Sequence, residues 1–142
     1  MKLLILNGPN LNLIEKRESN NYGSLSLEII SQKLSEEFPK INFTFVQSNS
    51  ENELIEQIQN ADKFDGVIIN PGGFTHSSVG LRDALETLKI PKIEVHLSNL
   101  ASREGFRKNM ITTSKVTGYI SGLKEISYFA AVYSLSKMIE HG

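Results

Sequence analysis

A doubly wound α/β fold, with a parallel sheet between two helical layers, is predicted by three features of this 142-residue chain. Apolar runs rich in β-formers alternate with segments of helical periodicity five times over, and that alternation implies βαβ units. The runs are short and nearly all apolar, as strands covered on both faces must be. The composition is 39% hydrophobic and 22% charged, which is ordinary globular usage.

In chain order, Lys2–Asn7 is a short apolar run and predicts the first strand. Leu27, Ile30, Leu34 and Phe38 recur at helical spacing, and Pro39 stops that helix. Residues 41–46 (Ile-Asn-Phe-Thr-Phe-Val) predict the second strand. Ser50 with Glu53 makes a capping box that opens a helix carrying Leu54, Ile55 and Ile58. Gly66–Asn70 predicts a third strand, 79–88 a third helix, and Lys92–His96 a fourth strand. Residues 115–120 predict a fifth strand. A closing helix over 123–139 offers Ile126, Phe129, Ala130, Tyr133 and Met138 for packing. Right-handed crossovers leave few topologies. Five strands of this length fit a flavodoxin-like, three-layer doubly wound sandwich, its five-stranded parallel sheet in the order 2-1-3-4-5.

No repeat, low-complexity tract or Gly/Pro/Ser-rich linker divides the chain, so residues 1–142 are expected to form a single domain. The net charge of -1 argues against a nucleic-acid-binding surface. Cysteine is absent, which excludes a disulfide scaffold, a thiolate nucleophile and Cys-ligated metal. No apolar run approaches the ~20 residues of a membrane span. Asn7-Gly8-Pro9 ends the opening apolar run too early for a secretory leader. A soluble, cytoplasmic protein with no membrane partner is the expectation.

In such sheets ligands bind at the carboxyl ends of the strands, near the switch point between strands 1 and 3. After strand 1 a connection of about sixteen residues, longer than most structureless loops, carries Arg17 and Tyr22. It reads equally as a solvated charged loop or as a lid bringing a cation and a phenol over the site. After strand 3 comes Asn70-Pro71-Gly72-Gly73-Phe74-Thr75-His76. Its glycines permit close backbone approach, and the next helix N-terminus offers free N–H groups to an anion; a plain Pro-Gly turn is the alternative. His76, Gly80, Asp83 and Thr87 form a polar stripe opposite Leu81, Leu85 and Leu88.

Strand 4 is the most informative. Glu94, His96 and Ser98 alternate onto one face of a strand that should be apolar on both. A buried Glu needs partners, and a Glu two residues from a His can fix its tautomer and raise its basicity. Arg103 and Arg107, four apart, suit a carboxylate or phosphate, or else line a surface turn.

A phosphoacceptor receiver would need carboxylates where Asn7 and Asn70 stand. Dinucleotide, Walker and nucleophile-elbow motifs are absent. A metal site built from His76, His96 and Glu94 remains a rival.

Five motifs stand in order: Gly-Pro-Asn-Leu-Asn-Leu at 8–13; Arg17-Glu18 with Tyr22-Gly23; Asn70-Pro71-Gly72-Gly73 with Thr75-His76-Ser77; Leu81-Arg82-Asp83-Ala84; and Ile93-Glu94-Val95-His96-Leu97-Ser98-Asn99 with Arg103-Glu104 and Phe106-Arg107. Over essentially its whole length the chain resembles the type II 3-dehydroquinate dehydratases. It departs from the usual pattern in carrying Glu15 where the family commonly has Gly and Ser19 where it has Pro. The resemblance implies metal-free and cofactor-free anti elimination of water from 3-dehydroquinate through an enolate, giving 3-dehydroshikimate for aromatic amino acid biosynthesis. By matched position, Tyr22 is the base, Arg17 lowers its pKa, Asn10 helps hold a water against the oxyanion, and His96, oriented by Glu94, is the acid. Asn70, His76, Leu97, Ser98, Arg103 and Arg107 bind substrate, and Asp83 reaches a neighbouring subunit's site. The resemblance further implies a homo-oligomer, a dodecamer built from trimers.

Overall fold

The computed structural model of the chain describes residues 1–17 and 25–142, the side chain of Arg17 excepted. Strand β1 (Lys2–Asn7) lies at the centre of the switch, paired in parallel with β2 (Asn42–Gln47) on one side and β3 (Gly66–Asn70) on the other. β4 (Lys92–His96) pairs with β3, and β5 (Gly118–Ser121) closes the far edge. The order is β2-β1-β3-β4-β5, all parallel, as expected from the sequence.

The period of two along each strand divides the core. Leu3, Ile5, Ile68, Ile93 and Val95 face helices α1 (Leu27–Glu37) and α4 (Ile126–His141), where Ile30, Leu34, Tyr128, Val132 and Leu135 meet them. Leu4, Leu6, Val67 and Ile69 point the other way, onto Leu54 and Ile58 of α2 (Glu51–Gln59) and Leu81 and Leu85 of α3 (Val79–Thr87). Ser26, Ser50 and Ser78 each cap a helix by accepting an N–H bond on the side chain. Among the described residues no helix is long and apolar enough to cross a membrane.

Three elements start later than the sequence expectation. The second strand begins at Asn42 rather than residue 41. The fifth begins at Gly118 rather than 115, because residues Thr113–Lys115 form a 3-10 turn and pairing with β4 starts at Ile93 opposite Gly118. The closing helix starts at Ile126 rather than 123: Gly122 and Lys124 take positive φ of 99° and 53° and turn the chain before it can coil. Its packing face also differs. Tyr128, Ala131, Val132 and Leu135 are buried, whereas Ile126 and Tyr133 are more than half exposed and Phe129 and Met138 touch only the margin of the core. Small and apolar residues surround this helix almost completely, so its sequence has too little contrast to mark one face.

Candidate active site

The site lies at the carboxyl end of the sheet, where the turns after β1 and β3 press together. Gly8 N–H donates to Asn70 O at 2.7 Å. A Cβ at Gly8 would collide with the Pro71 carbonyl, and one at Gly72, where φ is 61°, would lie 2.9 Å from Pro9 O. Glycine is therefore required on both sides of the contact. Beneath it, the buried Tyr128 hydroxyl donates to Asn7 Oδ1 and accepts from Asn70 Nδ2 at 3.2 Å, while Asn70 Oδ1 accepts from Gly72 N–H at 3.1 Å. Burial pushes the Tyr128 pKa well up, against the smaller opposing effect of the Asn70 bond. The phenol thus stays neutral and holds both asparagine amides in one orientation.

A cleft opens above this floor. Leu11 and Ile14 form its apolar wall, Gly72, Gly73 and His76 one side, and His96, Leu97, Ser98, Arg103 and Arg107 the other.

Glu94 and His96, on one face of buried β4, form a pair. His96 Nε2 lies 2.6 Å from Glu94 Oε2, with Glu94 0% and His96 5% exposed. Three hydroxyls also reach the carboxylate: Thr75 Oγ1 at 2.9 Å and Thr113 Oγ1 at 2.5 Å on Oε2, and Thr112 Oγ1 at 2.8 Å on Oε1. Burial alone would raise the Glu94 pKa. The bond and charge of His96 and the hydroxyls of Thr113 and Thr112 outweigh it and hold the carboxyl below its ordinary value. An ionised Glu94 accepts the Nε2 proton, so Nδ1 is the imidazole nitrogen left for the cleft.

His76 belongs to the 3-10 turn Gly72–His76, not to the polar face of α3, because α3 begins only after the Ser78 cap. That cap's hydroxyl accepts from Leu81 N–H, so the helix end expected to receive an anion is already served by a side chain. His76 Nδ1 lies 3.0 Å from Asn109 O. A carbonyl only accepts, so Nδ1 carries the proton and Nε2 is an acceptor, buried and without a partner among the described residues. Among the described residues no three His, Asp or Glu side chains are grouped so that they could hold a metal ion, so His76, His96 and Glu94 do not make such a set.

The cleft is cationic on its outer side. Arg103 Nη1 donates to Ser98 Oγ at 3.2 Å, and Arg107 lies over the Phe106 ring at 5.0 Å. Glu104 bonds Arg107 Nε at 3.0 Å and sits 3.7 Å from Arg103. The Arg107 bond is the main reason its carboxyl is held below the usual range.

Of the residues singled out from sequence, Asn70, His76, His96, Leu97, Ser98, Arg103 and Arg107 line one cleft, with Glu94 directly behind His96. Asn10, at a φ of 68°, is exposed on the turn after β1 and is not among the lining residues. Asp83 is exposed on α3 and bonded to Arg82 at 2.7 Å. Tyr22 and the Arg17 side chain lie outside the described residues. Sequence reasoning missed Thr75, Thr112, Thr113, Tyr128 and Asn7. The sequence signalled only the need for donors, since a Glu in a doubly covered strand must find them beyond one His; it did not mark these threonines as the source.

The family model for dehydroquinase class II matches residues 1–136. The 3-dehydroquinate dehydratase of Thermotoga petrophila is 45% identical over 143 residues, covering 99% of this chain and 98% of that protein. The crystal structure of type II dehydroquinase from Butyrivibrio crossotus superposes with a TM-score of 0.91 at 40% identity, covering 96% of this chain and 97% of that one. The type II dehydroquinase of Propionibacterium acnes does so with a TM-score of 0.89 at 34% identity, covering 98% and 96%. Sequence, fold and the full span of the match agree: the chain belongs to the class II dehydroquinase family.

Proposed function

We propose that residues 1–142 act as a single-domain 3-dehydroquinate dehydratase of the shikimate pathway, removing water from 3-dehydroquinate to give 3-dehydroshikimate. The observation that carries this reading is the buried Glu94–His96 pair opening onto an arginine-rimmed cleft, in a chain matched to the family along almost its whole length.

In the proposed reaction the Tyr22 phenolate takes the proton beside the ketone, and the C–H electrons move into an enolate. The enolate re-forms the ketone and expels the hydroxyl on the opposite face, which leaves as water with a proton from His96. A free phenol has a pKa near ~10, and lowering it by two units takes about 2.7 kcal/mol of preferential phenolate stabilisation; Arg17 and Arg107 are the cations assigned to this. Asn10 helps hold a water against the enolate oxygen. Glu94 keeps His96 oriented and supports its imidazolium before transfer. Arg107 and Arg103 receive the substrate carboxylate in exchange for part of their contact with Glu104. Asn70, His76 and the Leu97-Ser98 segment bind the ring hydroxyls, for which the free His76 Nε2 is a suitable acceptor. Asp83 completes a neighbouring subunit's site in a dodecamer of trimers, and the enzyme is cytoplasmic.

The test is to add purified protein to 3-dehydroquinate and follow the ultraviolet absorbance of the conjugated enone, with and without EDTA. Sustained turnover in both supports the reading. Binding without turnover would make the protein a small-ligand sensor, and loss of turnover on chelation, restored by zinc, would make it a metalloenzyme.

A further inference from the structure

At the Glu94–His96 pair the carboxylate is held by four donors from three segments. We infer that Thr75, Thr112 and Thr113 are positioning residues that set the protonation state of His96 by saturating Glu94 with hydroxyl donors; this rests on the proposed dehydratase reading.

Glu94 is 0% exposed, so water cannot solvate its charge. An ionised carboxylate offers about four lone-pair positions. His96 Nε2 and the Thr75, Thr112 and Thr113 hydroxyls provide four donors. Thr112 Oγ1 is also 2.9 Å from Thr75 Oγ1, and Thr113 Oγ1 is 3.3 Å from it, so the three hydroxyls are clustered; each has a single proton, and when all three are given to Glu94 none remains to bond another hydroxyl. With the donors in place the proton rests on the imidazole and not on the acid. Without them, a buried carboxyl would take a proton and His96 would lose the charge that favours its cationic form.

Backbone bonds fix the geometry. Ile111 N–H donates to Thr75 O at 2.8 Å, which ties the segment carrying Thr112 and Thr113 to the turn carrying Thr75 and His76. Asn109, two residues earlier, supplies the carbonyl that fixes the His76 tautomer. One stretch, 109–113, thus sets the state of both histidines in the cleft. The sequence expectation placed strand 5 from residue 115, directly behind this stretch; that strand begins only at Gly118, and the intervening chain includes the turn that seats Thr113.

The other titratable and charged groups on the cleft among the described residues are His76, Arg103 and Arg107. None is altered by replacing a threonine with valine, which keeps the shape and removes the hydroxyl. The experiment is a nuclear magnetic resonance titration of the His96 ring in the full chain, assigned against His76 and His141 by single His→Asn variants, with the pH profile of turnover measured alongside. Thr112→Val and Thr113→Val should each displace the His96 titration from that of the parent, and the basic limb of the kcat profile should move with it. Each should cut kcat about tenfold, as loss of an outer partner of a working His commonly does. Thr112→Ser and Thr113→Ser, which restore the hydroxyl, should titrate and turn over like the parent. A His96 titration unmoved in a folded valine variant would overturn the inference, as would a serine variant behaving like the valine one. If Thr112→Val does not fold, Thr113→Val, at a partly buried position, decides alone. The ring titration does not need the dehydratase substrate. A parent protein inactive on 3-dehydroquinate would therefore fail the proposed function, while the titration still decides whether the hydroxyls govern His96.

Discussion

The two proton carriers make separable claims at the residue scale. His96→Ala should lower turnover at least ~100-fold, the low end of what a positioned acid provides. Tyr22→Phe should abolish turnover while leaving ligand affinity within about tenfold, because the phenol acts in the transition state and not in uniform binding. Steady-state kinetics with a direct binding titration would separate the two effects, and near-normal turnover in the Tyr22→Phe protein would remove the phenolate mechanism. A third residue acts on stability alone. Lys92 begins β4 at the end of the sheet away from the cleft, is 8% exposed, and donates to Leu88 O at the close of α3. Burial, aided by Lys89, pushes its pKa below the ordinary lysine value. In the unfolded chain that amine binds its proton more tightly, so its charge opposes folding at neutral pH. This opposition lifts as the pH rises from the depressed folded pKa through the unfolded value of about 10.4. The parent should therefore gain stability relative to Lys92→Met as pH rises toward that value. Urea melts of both proteins at several alkaline pH values would check it, and parallel stability curves would count against a depressed pKa.

Among the elements, strands were far easier to read than the segments between them. β1, β3 and β4 were legible to the residue because each is a closed apolar run bounded by a turn former or a charge. Glu94 and His96 stood out for the same reason: any polar residue in such a run asks for an explanation. The closing helix was legible as a helix but not in its facing, since Ile126 and Tyr133 are as apolar as the residues that do pack. The threonines around Glu94 were not legible, because 112 and 113 lie in a stretch with no periodicity and reach the carboxylate only through long-range folding. Gly72 offers a test of element geometry. Alanine there would adopt a left-handed φ of 61° and place its Cβ 2.9 Å from Pro9 O, so Gly72→Ala should cost at least the roughly 1–2 kcal/mol of the left-handed conformation. Denaturant unfolding would measure it, and a loss below ~0.5 kcal/mol would show that the two turns separate easily.

For the whole molecule, the open question is how many chains make one working site. Asp83 is exposed on α3 with Arg82 and Glu86 on the same face, and it is not among the residues that line the cleft of its own chain. If its carboxylate serves a neighbour, Asp83→Ala should reduce both oligomer mass and kcat/KM. Sedimentation with activity measured on the same samples would show the two falling together, whereas a fully active monomer would defeat the shared-site assignment. The pressed turns at 8–9 and 71–72 carry a consequence for substrate choice. Neither side of that seam has space for another atom, so the floor of the cleft cannot be reshaped from there. Gly73 is different: it lines the cleft, and a Cβ added to it meets nothing within 4 Å. A methyl group at residue 73 should leave the melting temperature unchanged and raise KM by taking room from the bound ring. That makes this position, more than any residue of the seam, the place where the fit of the bound ring can be altered without disturbing the fold.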